Sequence, residues 1–122
     1  MDGSQPDLWR YAAALAPLRP DDRVSVGSPV TPLRRPAPGW PWLKYDHLHP
    51  TGSYKDRGAA VLVSHLAAAR PGATVFDDSS GNAGAALAAA SSTAGLRCRV
   101  LVPAANDPGK LALIEAFGAE VE

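Results

Sequence analysis

The chain has one cysteine, Cys98, so no disulfide can close within it, which agrees with a reducing compartment. It also lacks any bias of charge. Twelve basic and twelve acidic residues give a formal net charge of zero, and no run of like charge is long enough to attract a polyanion or a membrane surface. Neither nucleic acid nor membrane is expected as a partner. No stretch approaches the ~20 consecutive apolar residues of a bilayer span. The opening MDGSQPDLWRYAAALAP lacks the basic and then apolar build of a secretory signal, so a cytoplasmic protein is expected. Histidines are few: His47 and His49 lie two apart and His65 stands elsewhere, which supplies no evident zinc ligand set, so no metal is expected and loop or surface positions suit all three. Aromatics make up only 7% of the residues, and Trp40, Trp42 and Tyr45 most simply pack against a sheet or seal an interface.

What is present is one domain's worth of chain. Its 122 residues can bury roughly two-thirds of the surface that the unfolded form exposes. Residues 6–15 carry a short helical pattern, with Pro6 suited to a first turn and Leu8, Tyr11 and Leu15 recurring at three and four residues. Between Gly27 and Pro50 come Pro29, Pro32, Pro36, Pro38, Pro41 and Pro50, each removing a backbone donor, so extended segments and turns are predicted, with a short strand over Trp42–Tyr45. From Thr51 on, helical and β-rich stretches alternate, as in a parallel sheet covered by helices. The predicted order is a helix over Tyr54–Ala69 with Ser53 and Asp56 spaced as a capping box, a strand over Ala73–Phe76, and a helix over Asn82–Ala94 stopped by Gly95. A strand over Arg97–Val102, a helix from Asp107 to Gly118 and the opening of a strand over Ala119–Glu122 complete it. Residues 1–50 thus read as an N-terminal helix and Pro-rich extended segment, and 51–122 as an α/β half-domain whose last strand is barely begun.

In an open α/β sheet, ligands gather at the carboxyl ends of strands and the amino ends of helices, where free N–H groups point at anions. Two turns have that character: PTGSYKDRG over Pro50–Gly58 and SSGNAG over Ser79–Gly84. Lys55 falls in the first turn of its helix, where the positive end of the dipole disfavours a second cation and favours the neutral, nucleophilic amine. On position alone, the turn is better read as a solvated lysine beside Asp56 and Arg57. In the second turn, small hydroxyls and amides form a nest for a carboxylate or phosphate, and Gly81 lets the backbone approach a ligand. A plain N-cap fits that turn as well. A dinucleotide fingerprint does not fit, because GxGxxG would need glycine at Ser79. Cys98 alternates with Val100 and reads as a core residue.

In combination these segments resemble the fold-type II pyridoxal-phosphate (PLP) enzymes, the tryptophan synthase beta-like superfamily, and within it the threonine synthases most closely. The resemblance runs in order through LWRYAAAL, RVSVGSPVTPL from Arg23, LKYDHLHPTGSYKDRG from Leu43, SSGNAGAALAA from Ser79 and VLVPAANDPGKLALIEAFGAEVE from Val100. It implies an α/β fold, a partial three-layer open and mostly parallel sheet with flanking helices. It implies that Lys55 binds PLP as a Schiff base and later moves protons, and that Asn82 hydrogen-bonds the phenolic oxygen of the ring. Ser79, Ser80, Gly81 and Ala83 would line the site of the substrate's α-carboxylate. The reaction implied is that of a lyase, O-phosphohomoserine to threonine with release of phosphate. Cysteate synthases and threonine dehydratases share the same two motifs, and a non-catalytic interaction module derived from this fold is a reading of a different class.

Two departures stand in the sequence: GSPVTPL occupies the place of a GEGxTPL stretch, with Ser28 and Pro29 inside it, and Tyr54 stands where phenylalanine is more common. The glycine-rich loop for the PLP phosphate and the group that faces the pyridine nitrogen are expected in sequence following Glu122. The chain is therefore read as the N-terminal part of such an enzyme, inactive alone, with an amino-acid substrate and either a second copy or a C-terminal part as partner.

Overall fold

In a computed structural model, residues 3–15 and 17–122 are described. Two short strands, β1 (Leu33–Arg34) and β2 (Leu43–Lys44), form an antiparallel ribbon in the Pro-rich region. Helix α1 (Lys55–Ala69) leads into β3 (Thr74–Asp78), α2 (Asn82–Thr93), β4 (Arg97–Leu101), α3 (Pro108–Ala116) and β5 (Glu120–Val121). The last three strands are parallel in the order β3-β4-β5, with Val75 opposite Cys98 and Val100 opposite Val121. The α/β architecture with a parallel sheet and flanking helices is thus as the alternation predicted.

The strands obey a period of two, so each has a wet and a dry side. Val75, Cys98 and Val100 are buried, and they join Ala59 and Val63 of α1, the alanines of α2 and Ile114 of α3 in one core. Phe76 and Leu101 point the other way and remain exposed, as do Arg97 and Arg99. Helix α2 lies close because its buried positions, Leu87 apart, are all glycine, alanine or serine. At Gly84 even a methyl group would sit 3.0 Å from Val100 Cγ1 and 3.2 Å from Ile114 Cδ1, inside ordinary contact. Glycine is therefore required there by packing.

The N-terminal segment is tied to this core by polar contacts. Asp7 caps a 3-10 helix over Leu8–Ala14 by accepting from the Trp9 amide, and the buried Trp9 indole donates to the Val24 carbonyl at 2.8 Å. Val24 in turn donates to Ser64 of α1. The predicted helix is thus present in tighter form and opens one residue after its Asp7 cap. Trp40 and Trp42 do not pack on the parallel sheet: they are 58% and 62% exposed, because the β1–β2 ribbon that carries them lies outside the core. Cys98 lies in the core, as expected, and burial pushes its thiol pKa up.

Candidate active site

The two signature turns open α1 and α2. In the first, the structure departs from a capping box. The Ser53 hydroxyl accepts from the Lys55 amide at 3.3 Å, but Asp56 does not reach back to Ser53. Its carboxylate turns to Thr51, accepting from the Thr51 amide at 3.0 Å and from the Thr51 hydroxyl. A 1% exposed carboxylate needs such donors, and Thr51 supplies both within one turn of chain. Arg57 is also held: its Nη2 donates to Asp46 Oδ1 at 2.8 Å and to Thr31 Oγ1 at 3.1 Å. Thr31 itself donates to Asp46 at 2.6 Å, and this bond, with the Arg57 guanidinium, holds the Asp46 carboxyl below its usual range. Lys55, just ahead of these two anchored residues, faces outward. It is exposed, with its Nζ 5.4 Å from the centre of the Tyr54 ring, and among the described residues no acid pairs with it.

Against this polar knot lies His49, whose side chain is fully buried with Nε2 at 3.6 Å from Asp46 Oδ1. Neither ring nitrogen has a hydrogen-bond partner among the described residues. Burial pushes its pKa down from the usual histidine value, with the positive charge of Arg57 adding to the shift. His49 is in a loop as expected but is not at the surface, since its side chain is fully buried beside Asp46. Among the described residues no three or more His, Cys, Asp or Glu gather as a metal site.

In the second turn, the Ser79 hydroxyl accepts from the amides of Gly84 at 2.9 Å and Gly81 at 3.4 Å. The amides of Ser80, Asn82 and Ala83 meet no acceptor among the described residues. Asn82 and Ser80 are exposed, and Ser79, Gly81 and Ala83 are half-buried. Asp78, Ser79 and Ser80 line a cleft of about 430 Å³ together with Leu101, Val102 and Pro103, at the carboxyl ends of β3 and β4. That is where an open parallel sheet receives ligands. Lys55 does not line this cleft. A methyl group on Gly81 would touch Lys110, 3.2 Å from its Cδ and 3.7 Å from its Nζ, so the lysine lies along the bare backbone of the turn.

An exposed primary amine on one helix start and three open amides on another fit the donor needs of an anionic carbonyl cofactor and a carboxylate. What the sequence did not reveal is the support: Thr31, Asp46, His49 and Lys110 were not picked out for this role. Asp46 and His49 lie just ahead of PTGSYKDRG, and their nearness to that motif is the one signal that could have found them.

Residues 24–122 match the pyridoxal-phosphate dependent enzyme family. The threonine synthase of Halalkalibacterium halodurans is 40% identical over 98 residues, covering 77% of this chain and 27% of that protein. The L-serine dehydratase of Saccharomyces cerevisiae strain YJM789 is 38% identical over 87 residues, covering 67% of this chain and 26% of that protein. Among solved structures, that of O-ureido-L-serine synthase superposes with a TM-score of 0.65 at 31% identity, covering 87% of this chain and 35% of the other. The chain therefore spans only about a quarter to a third of the length of these relatives. Among the described residues no helix is long and apolar enough to cross a membrane. With a fold, two helix-start turns and 99 consecutive residues in agreement, the chain belongs to the pyridoxal-phosphate dependent enzymes of fold type II, whose cofactor is pyridoxal 5'-phosphate.

Proposed function

We propose that this chain supplies the lysine-bearing part of a PLP-dependent enzyme acting on an amino acid, and that the enzyme is a threonine synthase. The observation that carries the reading is the pairing of PTGSYKDRG with SSGNAG, each at the amino end of a helix, in a chain 40% identical to a threonine synthase over 98 residues. Lys55 holds the cofactor covalently through Nζ and returns a proton to the reacting carbon. Asn82 orients the cofactor ring through its phenolic oxygen. Ser79, Ser80, Gly81 and Ala83 bind the α-carboxylate of the substrate, a role that suits the open amides of Ser80 and Ala83. When bound, PLP is the electron sink for carbanion chemistry, and the protein provides orientation. The substrate is O-phosphohomoserine, converted to threonine with release of phosphate. Residues 51–122 form the cofactor-binding half, residues 1–50 brace it, and the donors for the cofactor phosphate come from a further part of the enzyme or from a partner chain. The balanced charge and the single buried cysteine support a cytoplasmic setting.

A dehydratase reading has support of its own, because the L-serine dehydratase relative matches the same segment at 38% identity. The test has two stages. Added PLP should give the visible absorption of a cofactor–lysine adduct, and Lys55→Ala should abolish it. With the further part of the enzyme supplied, phosphate release from O-phosphohomoserine supports the synthase and ammonia release from L-serine supports the dehydratase, while an absorption undiminished in Lys55→Ala overturns both.

A further inference from the structure

Lys55 is followed directly by two residues that are fixed to different parts of the chain. Asp56 is bound to Thr51, near the start of the same turn. Arg57 is bound to Asp46 and Thr31, which belong to the Pro-rich region. The segment from Asp46 to Thr51 closes the circuit: His49 accepts at its carbonyl from the Gly52 amide at 2.8 Å, and its ring packs against Asp46. The Thr31 backbone is in turn gripped by Lys44, whose ammonium donates to the Thr31 carbonyl. The two residues that follow Lys55 in the first turn of α1 are therefore both anchored, while the helix cap itself, Tyr54, contributes no side-chain bond. Without the anchors, a helix start of this kind frays.

We propose that Asp46 is a positioning residue for Lys55. By binding Arg57 and Thr31 together, it fixes the orientation of the first turn of α1 and so presents the lysine amine to the cofactor. A charge-assisted bond from a guanidinium to a carboxylate is directional, which suits it to set a helix start rather than only to add stability. This rests on the reading that Lys55 is the cofactor lysine, and the chain offers an internal control, because its other lysines are Lys44 and Lys110.

The experiment is reductive trapping: the purified 122-residue chain is mixed with PLP, reduced with borohydride, digested, and the label on Lys55 is measured by mass spectrometry relative to Lys110. Wild type should label Lys55 preferentially. In Asp46→Asn, which keeps the shape and removes the charge, that preference should fall about fivefold, the scale of one charge-assisted hydrogen bond. Asp46→Glu should restore most of it. Circular dichroism separates positioning from unfolding. If Asp46→Asn does not fold, Thr31→Val, which deletes one arm of the knot, decides the matter through a smaller fall of about twofold. A folded Asp46→Asn with wild-type preference overturns the positioning role alone. Equal labelling of Lys55 and Lys110 in wild type overturns the cofactor reading and the positioning role with it.

Discussion

The two helix-start turns are built on opposite plans. Around Lys55 the neighbouring side chains are consumed: Asp56 by Thr51, Arg57 by Asp46 and Thr31, with the buried His49 imidazole beside Asp46. Around Ser79 one hydroxyl caps two amides, while the amides of Ser80, Asn82 and Ala83 stay open. The first turn uses its polar side chains to tie down the helix start that carries Lys55, and the second leaves three amides open. Under the proposed function, covalent holding at one turn and exchange of small molecules at the other call for both plans.

The strongest way to break that contrast is to cut the anchor of the first turn. Asp56→Ala leaves the Thr51 amide and hydroxyl buried without their acceptor, and Thr51 is 5% exposed. A loss of about 3 kcal/mol of stability is expected, read as a lower urea midpoint. The second turn has its own structural limit, at Gly84. Gly84→Val forces methyl groups against Val100 and Ile114, both wholly buried, and about 2 kcal/mol should be lost. If Gly84→Val were neutral, the packing of α2 on β4 would be looser than the contacts require.

Much of this was legible in the residues, and the part that was not has a common cause. The period-two pattern of β4, the Asp107 cap whose Oδ1 accepts from Gly109 and Lys110, and the left-handed glycines at 95 and 118 follow from local rules. Local rules also placed the two signature turns at helix starts, while their roles came only from the family resemblance. The capping box at Ser53 was wrong because Asp56 had a better donor pair in Thr51, a choice that depends on how residues 49–52 turn. The Asp46–Arg57 bond spans eleven residues and the Thr31–Arg57 bond twenty-six, and no periodicity encodes either. The exposure of Trp40 and Trp42 likewise depends on where a two-residue ribbon sits, which composition does not fix.

Acidity should separate the two turns next. His49 has a lowered pKa in the folded chain because it is buried, so the unfolded chain takes up its proton first. Its contribution is complete above the unfolded value of about 6.5 and is lost as pH falls through the lower folded value. Asp46 follows the carboxylate rule in a lower window: its stabilisation is present above its ordinary value of about 3.9 and fades below it. Stability measured by urea titration should therefore decline between pH 7 and 5, and His49→Asn should flatten that decline. An unchanged slope in His49→Asn would assign the decline to another group.

The smallest expected effect lies at Gly81, and it sharpens the contrast most directly. A methyl group there meets only the Cδ, Cε and Nζ of Lys110, the far end of a flexible side chain on an exposed residue. The chain can move that lysine aside, so Gly81→Ala should change stability by less than about 0.5 kcal/mol. The consequence belongs to binding. Lys110 now lies along the turn whose open amides are proposed to receive a carboxylate, and displacing its ammonium removes a cation from that neighbourhood. Binding of an amino-acid carboxylate by the PLP-loaded chain should then weaken about threefold and lose part of its salt dependence, while trapping at Lys55 stays as in wild type. If Gly81→Ala instead reduced trapping at Lys55 and left carboxylate binding alone, the assignment of holding to the first turn and receiving to the second would be reversed.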